Sequence, residues 1–408
     1  MNANAGTFET ESVATHSATL LPAFVGFFFS IRIIMVLLSV RVFQQDPQTG
    51  VIASLGLNFL LLLVVVFHSI GPAPRTLSSI LHLPCCSWVL LFVGFSGASL
   101  IWTVAASLPA AAAFWGAMAA DTAMVVLLLR TGSIGDTSAA LTRGYVYGTC
   151  CLALVAWLLP AQSDLRLGDE ELLGGNQFGF ACAIAIFFAQ YLIFTKTRQR
   201  RWNYIVAFLA ITLLRSLSKT TIIAFIAGEA ILLILEKSIS RRTKTMLILA
   251  PVVVISLASG LLISYYDIYT SAGNQAETLT GRLGIWAYIL NEAVDRPWIG
   301  HGFHSVWKVI PPFGDFEARH AHNELLQQFY AYGVAGIVML VGLYWSFFRQ
   351  VRKLPKSPLK TLLFGLLVFT VIRGLADTEA FDLTLPLWAI VMFSAIMAQP
   401  HHETAIAH

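Results

Sequence analysis

The sequence predicts an all-α polytopic membrane protein of about twelve transmembrane helices. Two observations lead there. The chain is 57% hydrophobic and only 12% charged, with a mean hydropathy of +0.73, whereas soluble domains carry about 25% charged residues. Its apolar stretches run near the ~20 residues that a helix needs to cross about 30 Å of hydrocarbon. Lipid offers the backbone no hydrogen-bond partners, so such stretches fold as helices. A third observation sets the organisation: one long hydrophilic segment interrupts the pattern, beginning near Tyr266 and ending in HAHNELLQQF, His320 to Phe329.

The spans follow in order. The first, 18–41, is preceded by Glu9 and Glu11 rather than a basic region and contains Arg32. It reads as a retained span, not a cleaved signal peptide. Residues 50–70, 86–104 and 107–130 follow, the last with Asp121 inside it, then 140–160 and 176–196. The short pair 201–216 and 219–236 flanks Arg215 and Lys219 and can also be read as one helical hairpin. The ninth span is 244–266. Residues 267–321 form the long loop, and 322–349, 357–377 and 380–399 complete the set. No soluble domain, low-complexity tract or internal repeat is visible, so residues 1–408 read as one integral-membrane domain.

Basic residues orient the spans. With both termini cytoplasmic, 16 of the 26 Lys and Arg fall on inner loops, and 15 of the 22 acidic residues fall outside. Short cytoplasmic loops are expected to be the basic ones. The inner clusters Lys196–Arg201, Lys237–Lys244 and Arg349–Lys360 then meet anionic lipid, and nothing in the charge points to nucleic acid. The five cysteines lie in or at the ends of spans with neither metal-ligand nor disulfide spacing. They read as small apolar packing residues.

Charged groups inside spans need partners. Arg32 and Glu229 lie at similar depth and are expected to form an ion pair. On the outer face, RSLSKT (Arg215 to Thr220) puts two cations four residues apart beside Ser216, Ser218 and Thr220. Arginine forks onto phosphate oxygens and lysine adds a point charge. A helix starting near Lys219 adds free N–H groups that favour an anion. The alternative is a snorkelling interfacial pair.

In the long loop, TGRLGIW (Thr280 to Trp286) reads as a helix start with Arg282 in its first turn, where a cation is disfavoured unless an anion is near. PWIGHGFHSVW (Pro297 to Trp307) has Gly300 and Gly302 for a sharp turn, and His301 and His304 read chiefly as turn or packing residues. His320 and His322, two apart, would face different sides of a helix and so make poor joint metal ligands. His322, at the mouth of the tenth span, can take a proton from a sugar hydroxyl near neutral pH or can serve as a cap. Arg373 lies near enough to the outer face to join an anion site. Asp377 and Glu379 form a D-x-E pair, weak as a metal motif, and no metal is expected.

In their order and spacing these pieces resemble the bacterial O-antigen ligase and O-antigen/exopolysaccharide polymerase superfamily. The matching motifs are SLIWT (Ser99 to Thr103), GGNQFG (Gly174 to Gly179), RSLSKT, TGR with Trp286, GHGF (Gly300 to Phe303) and HNELLQQFYAYGVAG from His322. The resemblance implies a GT-C-like helical fold in the bacterial inner membrane, with residues 267–321 and the active site on the periplasmic side. It implies a metal-independent, inverting glycosyltransferase that needs no cofactor. The donor would be an undecaprenyl-diphosphate-linked glycan, and the acceptor the lipid A core (a ligase) or a lipid-linked glycan (a polymerase). His322 would be the catalytic base. Arg215, Arg282 and Lys219 would hold the diphosphate, with His320, Asn323, His301 and Arg373 as accessory residues. Lys219 departs from the arginine common at its position, which leaves ligase and polymerase both open. A transporter or flippase of lipid-linked saccharides is the competing reading, and it expects inverted repeats and substrate groups near the membrane midplane.

Overall fold

A computed structural model describes residues 19–160, 166–169, 172–195, 200–235, 240, 242, 245, 279–312 and 317–399. The expected ninth span, 244–266, apart from Thr245, the first part of the loop, 267–278, and the inner-loop residues Lys196, Arg198, Lys237, Arg241 and Lys244 lie outside the described residues. Every named element among the described residues is helical. In chain order these are α1 (Thr19–Ile31), α2 (Ile34–Arg41), α3 (Pro47–Ser69), α4 (Leu77–Leu81), α5 (Pro84–Ala98) with a 3₁₀ turn at Ser99–Ile101, α6 (Leu108–Thr131) and α7 (Ile134–Leu158). Then come α8 (Gly175–Thr195), α9 (Arg200–Arg215), α10 (Lys219–Leu235), α11 (Leu279–Ala293), α12 (Glu324–Lys353), α13 (Pro358–Gly374) and α14 (Leu387–Met397).

Six of these are long and apolar enough to cross a membrane: α3, α5 with its 3₁₀ turn, α6, α7, α8 and α12. The α1–α2 pair, bent by 61°, makes a seventh if it is one span. The other expected spans fall on shorter helices: α9, α10 and α13 have 16, 17 and 17 residues and α14 has 11. Starts follow local chemistry. Asp46, Ser107 and Ser357 cap α3, α6 and α13 through their side chains, each with proline in the first turn. Helix α8 is apolar all round and mostly buried, so it lies at the centre. Helices α10 and α13 approach backbone to backbone. A Cβ at Gly228 would lie 2.7 Å from the Gly365 carbonyl oxygen, and one at Gly365 2.8 Å from that of Gly228. All five cysteines are free.

Two expectations about span charges change. Arg32 sits at the α1–α2 break and pairs with Asp121 of α6 at 2.6 Å, not with Glu229. Glu229 accepts a hydrogen bond from Gln190 of α8 at 2.8 Å. Equal depth does not make two groups neighbours: α10 packs on α13 and α8, and its polar residue finds its partner there.

Helix α12 is broken at Gly333, whose φ of 61° and ψ of −152° no helix accommodates. The peptide groups around the break pair with the loop at 297–302. Val334 N–H donates to Pro297 O at 2.7 Å and Ala335 N–H to Trp298 O at 3.3 Å. In return, His301 N–H reaches Tyr330 O at 2.9 Å and Gly302 N–H reaches Ala331 O at 2.7 Å. Gly300 and Gly302 have φ of 63° and 89°, as the turn reading expected, and a Cβ on Gly300 would collide with the Ala331–Tyr332 peptide. The loop's other side rests on SLIWT. Phe303 N–H donates to Ser99 Oγ at 2.9 Å, Thr103 Oγ1 donates to Phe303 O at 2.5 Å, and Val104 N–H donates to His301 O at 3.0 Å. Below the break, Val334, Val338, Val341 and Trp345 form an exposed apolar stripe. Above it, Glu324, Gln327 and Gln328 are buried.

Gly333→Ala puts a Cβ into the Pro297–Ile299 backbone and an L-residue at a disfavoured φ. It is expected to cost about 1–3 kcal/mol, read as a lower melting temperature in detergent. A variant that melts with the parent would show that the glycine does not specify the break.

Candidate functional site

Four stretches far apart in the chain meet at one end of α10 and α13. The first is the turn 216–218 between α9 and α10. Leu217 has φ 51°, and the turn is tied by Ser218 N–H to Ser216 Oγ at 3.3 Å and by Ser218 Oγ to Thr221 Oγ1 at 2.8 Å. The GGNQFG glycines explain how it fits. Cβ atoms on Gly175 and Gly179 would each lie 2.6 Å from Ser216, at its carbonyl oxygen and its Oγ. Only hydrogen at those positions lets the start of α8 lie against the serine turn. Arg215, half-buried, holds its guanidinium 6.0 Å from the Trp157 ring centre, and Lys219 is exposed at the first position of α10. Arg166, 5% exposed, packs beside Gly175. It was not singled out in the sequence because it stands in no motif.

The second stretch is α11. Arg282 lies in its first turn, as expected, and is 7% exposed. Its Nη1 donates to Thr220 Oγ1 at 3.1 Å and to the Ala376 carbonyl oxygen, while its buried Nε finds no hydrogen-bond partner among the described residues. One turn on, Trp286 Nε1 donates to Ala321 O at 2.9 Å. The helix that carries the arginine therefore also holds the third stretch, His320–Asn323.

His320 and His322 precede the helix instead of riding on it, because α12 begins at Glu324. His322 has φ 51°, a conformation that costs a non-glycine residue about 1–3 kcal/mol. That turn folds the rings together, with centroids 4.1 Å apart. The expectation that the two would face apart is corrected for this reason. His320 Nδ1 accepts from the His322 backbone N–H at 3.2 Å, and His322 Nδ1 lies 3.3 Å from Asp377 Oδ1. Asn323 caps α12, accepting from Leu326 N–H at 3.0 Å and donating to Leu375 O at 2.8 Å.

The fourth stretch follows α13. Arg373, 2% exposed, sits 4.0 Å over the Phe180 ring. It pairs with Asp377 Oδ2 at 3.3 Å and with Glu379 Oε1 at 3.0 Å, and its Nε donates to Thr221 Oγ1 at 3.4 Å. The arginine thus reaches the cluster, but as the counter-ion of the D-x-E pair. The ligand atoms of His320, His322 and Asp377 lie within 4.8 Å of one another, a spacing that can hold a metal. Two features compete with a metal there: His320 Nδ1 already takes the His322 amide, and Arg373 lies against Asp377.

Burial and the adjacent His322 push His320 down to about 3, against the pull of Asp377. It is neutral near pH 7, so its 4.0 Å approach to Asp377 is not an ion pair. Asp377, beyond the end of α13, is raised by burial but driven far below the carboxylate range by Arg373 and by the hydrogen bond from His322.

His301 and His304 stand apart from the cluster. His301 stacks on Tyr330 at 4.4 Å and bonds its carbonyl oxygen at 3.3 Å, which makes it part of the loop's anchor. His304 stacks on Phe381 at 5.1 Å and Phe114 at 5.5 Å. The residue missed as a partner of His322 is Asp377. Its D-x-E setting reads only as a weak metal motif, and no spacing rule joins positions 55 apart.

The described chain is therefore an all-helical protein with membrane-spanning composition and a buried His–Asp–Arg cluster beside a cationic turn. Residues 204–341 match the family model described as O-Antigen ligase. This segment is about a third of the chain, and it takes in Arg215, Lys219, Arg282, His320 and His322 but not Arg373 or Asp377. Among curated proteins, the chain is similar to the "Exopolysaccharide production protein ExoQ" of Rhizobium meliloti, 24% identical over 321 residues and 72% of each chain. It is also similar to an "O-antigen ligase" of Pseudomonas aeruginosa, 32% identical over 142 residues, 34% of this chain and 33% of that one. The resemblance read from the motifs holds on these comparisons.

The low pKa of His320 has a stability consequence. On acidification the unfolded chain takes up this proton near 6.5 and the folded chain only near 3. Stability is therefore lost as pH falls through that window, by at most about 1.4 kcal/mol per pH unit. Melting temperatures measured from pH 6.5 down to about 4.5 should fall more steeply for the parent than for His320→Gln. Equal slopes would mean that His320 titrates normally in the fold.

Proposed function

We propose that the chain is an integral-membrane, inverting glycosyltransferase of the O-antigen ligase and polymerase type. It transfers a glycan from an undecaprenyl-diphosphate donor to an acceptor sugar at the periplasmic face of the inner membrane, with both termini cytoplasmic. The observation that carries the reading is the contact of His322 Nδ1 with Asp377, one residue along from the carbonyl that takes Arg282. A carboxylate on Nδ1 favours the proton there and leaves Nε2 as the base. Nε2 takes the proton of the acceptor hydroxyl as its oxygen bonds to the anomeric carbon. The bond from that carbon to the diphosphate oxygen breaks, and the electron pair leaves with the diphosphate. Single displacement inverts the carbon.

Arg282, Arg215 and Lys219, with the positive end of the α10 dipole, offset the charge that collects on the leaving group. Thr220 orients Arg282 at 3.1 Å, Asn323 ties the base loop to Leu375, and Arg373 and His320 hold Asp377 and the His322 turn in register. In this chemistry the arginines supply the positive charge that a divalent metal supplies elsewhere, so the reading is metal- and cofactor-independent. The names of the two relatives support glycan assembly and divide over the acceptor: the ExoQ likeness is broad and weak in identity, and the ligase likeness short and stronger. Both the lipid A core and a lipid-linked glycan stand as acceptors.

In membranes supplied with lipid-linked glycan, His322→Ala should lower transfer by about 10²–10⁴-fold at unchanged expression; near-parental transfer would remove the base assignment. Arg282→Ala and Arg215→Ala should each raise half-saturation by donor about 10- to 100-fold, the worth of a hydrogen bond to a charged group. An unchanged donor curve would refute the diphosphate role. Treatment with a divalent chelator should leave the rate intact, whereas a loss restored by added metal would make His320, His322 and Asp377 a metal site.

A further inference from the structure

Beside the cluster lies a small pocket that the proposed mechanism leaves unused. It is about 20 Å³ in volume and is walled by Phe92, Phe303, Tyr332 and Phe381. Its polar lining comes from His304, Gln327, Gln328, Glu379 and Asp382. Two of these carry buried atoms with no hydrogen-bond partner among the described residues: Oε1 of Gln328, which is 3% exposed, and both ring nitrogens of His304. Leaving such buried atoms unpaired is unfavourable. His304 is held there at φ 63° by near-parallel stacking on Phe381 and Phe114.

The missing partner has a definite chemistry. Gln328 Oε1 only accepts, while a neutral imidazole offers one N–H and one acceptor nitrogen. A hydroxyl, which both donates and accepts, can donate to Gln328 Oε1 while accepting from the imidazole N–H. The space suits one such group, since a cavity needs roughly 10–15 Å³ for a water-sized occupant.

Place decides which substrate brings it. Along the segment 376–382, the Ala376 carbonyl meets Arg282, Asp377 meets His322, Glu379 meets Arg373, and Phe381 and Asp382 line the pocket. Along this segment the pocket follows the contacts of Arg282 and of the base, and Arg373 borders it through Glu379. Gln327 joins the two, lining the pocket while its Oε1 accepts from Ala321 N–H at 2.8 Å.

We infer that this pocket receives one hydroxyl-bearing arm of the acceptor sugar, with Gln328 and His304 as its specificity-determining contacts. The inference rests on the glycosyltransferase reading above.

The test uses the whole protein in nanodiscs. Donor is lipid-linked glycan from the host's membranes. Two acceptor probes free of lipid diphosphate, the lipid A core fraction of the same membranes and the glycan released from its lipid carrier, are each titrated at fixed donor. Gln328→Met keeps the length of the side chain and removes Oε1; His304→Phe keeps the stack and removes both nitrogens. Each should raise half-saturation by acceptor about tenfold, the equivalent of one lost hydrogen bond, with donor half-saturation and melting temperature unchanged. Unchanged acceptor curves, or equal shifts for donor and acceptor together with a lower melting temperature, would overturn the subsite and leave the pocket as the seat of a structural water. In both of those outcomes the parent still transfers glycan. A parent that transfers none in this assay, while folded, fails the glycosyltransferase reading itself and the subsite with it.

Discussion

The exchange of peptide hydrogen bonds between the broken turn of α12 and the loop at 297–302 is the constraint on which the rest of the site depends. A span interrupted in lipid leaves N–H and C=O groups that lipid cannot satisfy. Here Pro297, Trp298, His301 and Gly302 answer Val334, Ala335, Tyr330 and Ala331 in turn. The upper part of α12 is thereby freed from the lipid-facing line of the lower part. It can bury Glu324, Gln327 and Gln328, and it opens on the His320–Asn323 turn. Glu324 shows the benefit: it accepts from Thr384 N–H at 2.6 Å and from Tyr344 Oη at 2.9 Å, which fixes the segment after α13 against the start of α12. Together with the Asn323–Leu375 bond, that fastening holds Asp377 beside His322.

The cluster is built as alternating charge. Arg373 lies between Asp377 and Glu379, the histidines meet only Asp377, and Arg282 leans on a neutral carbonyl and a hydroxyl. Arg373 is thus largely compensated by its carboxylates, whereas no carboxylate contact of Arg282 is seen among the described residues. Burying an arginine against two carboxylates is favourable only when the geometry is held from outside. Phe180 beneath it and Thr221 beside it do that holding.

The helical class and the positions of Arg215, Lys219, Arg282 and His322 were legible because each depends on local pattern: apolar length, a basic turn, a helix start, a histidine before a span. The turn glycines Gly300 and Gly302 were legible for the same reason. What was not legible depends on rotation and distance. Depth along a helix, which suggested Arg32 with Glu229, carries no information about which way a side chain faces. Helical spacing misjudged His320 and His322 because the helix begins two residues later, and a positive φ is invisible in residue names. Asp377 came into view only when α13 was seen packed on α10, which sets its loop beside a turn 55 residues upstream.

Gly333 also has a meaning for how the protein is made. The segment that completes the break, 297–302, is synthesised about 30 residues before the residues it completes. By the time the 330–335 stretch is made, the partner segment already exists in the nascent chain. A helix of this kind cannot be released into lipid as an independent rod. Its peptide groups at the break are completed by that earlier loop, so the two segments form one folding unit.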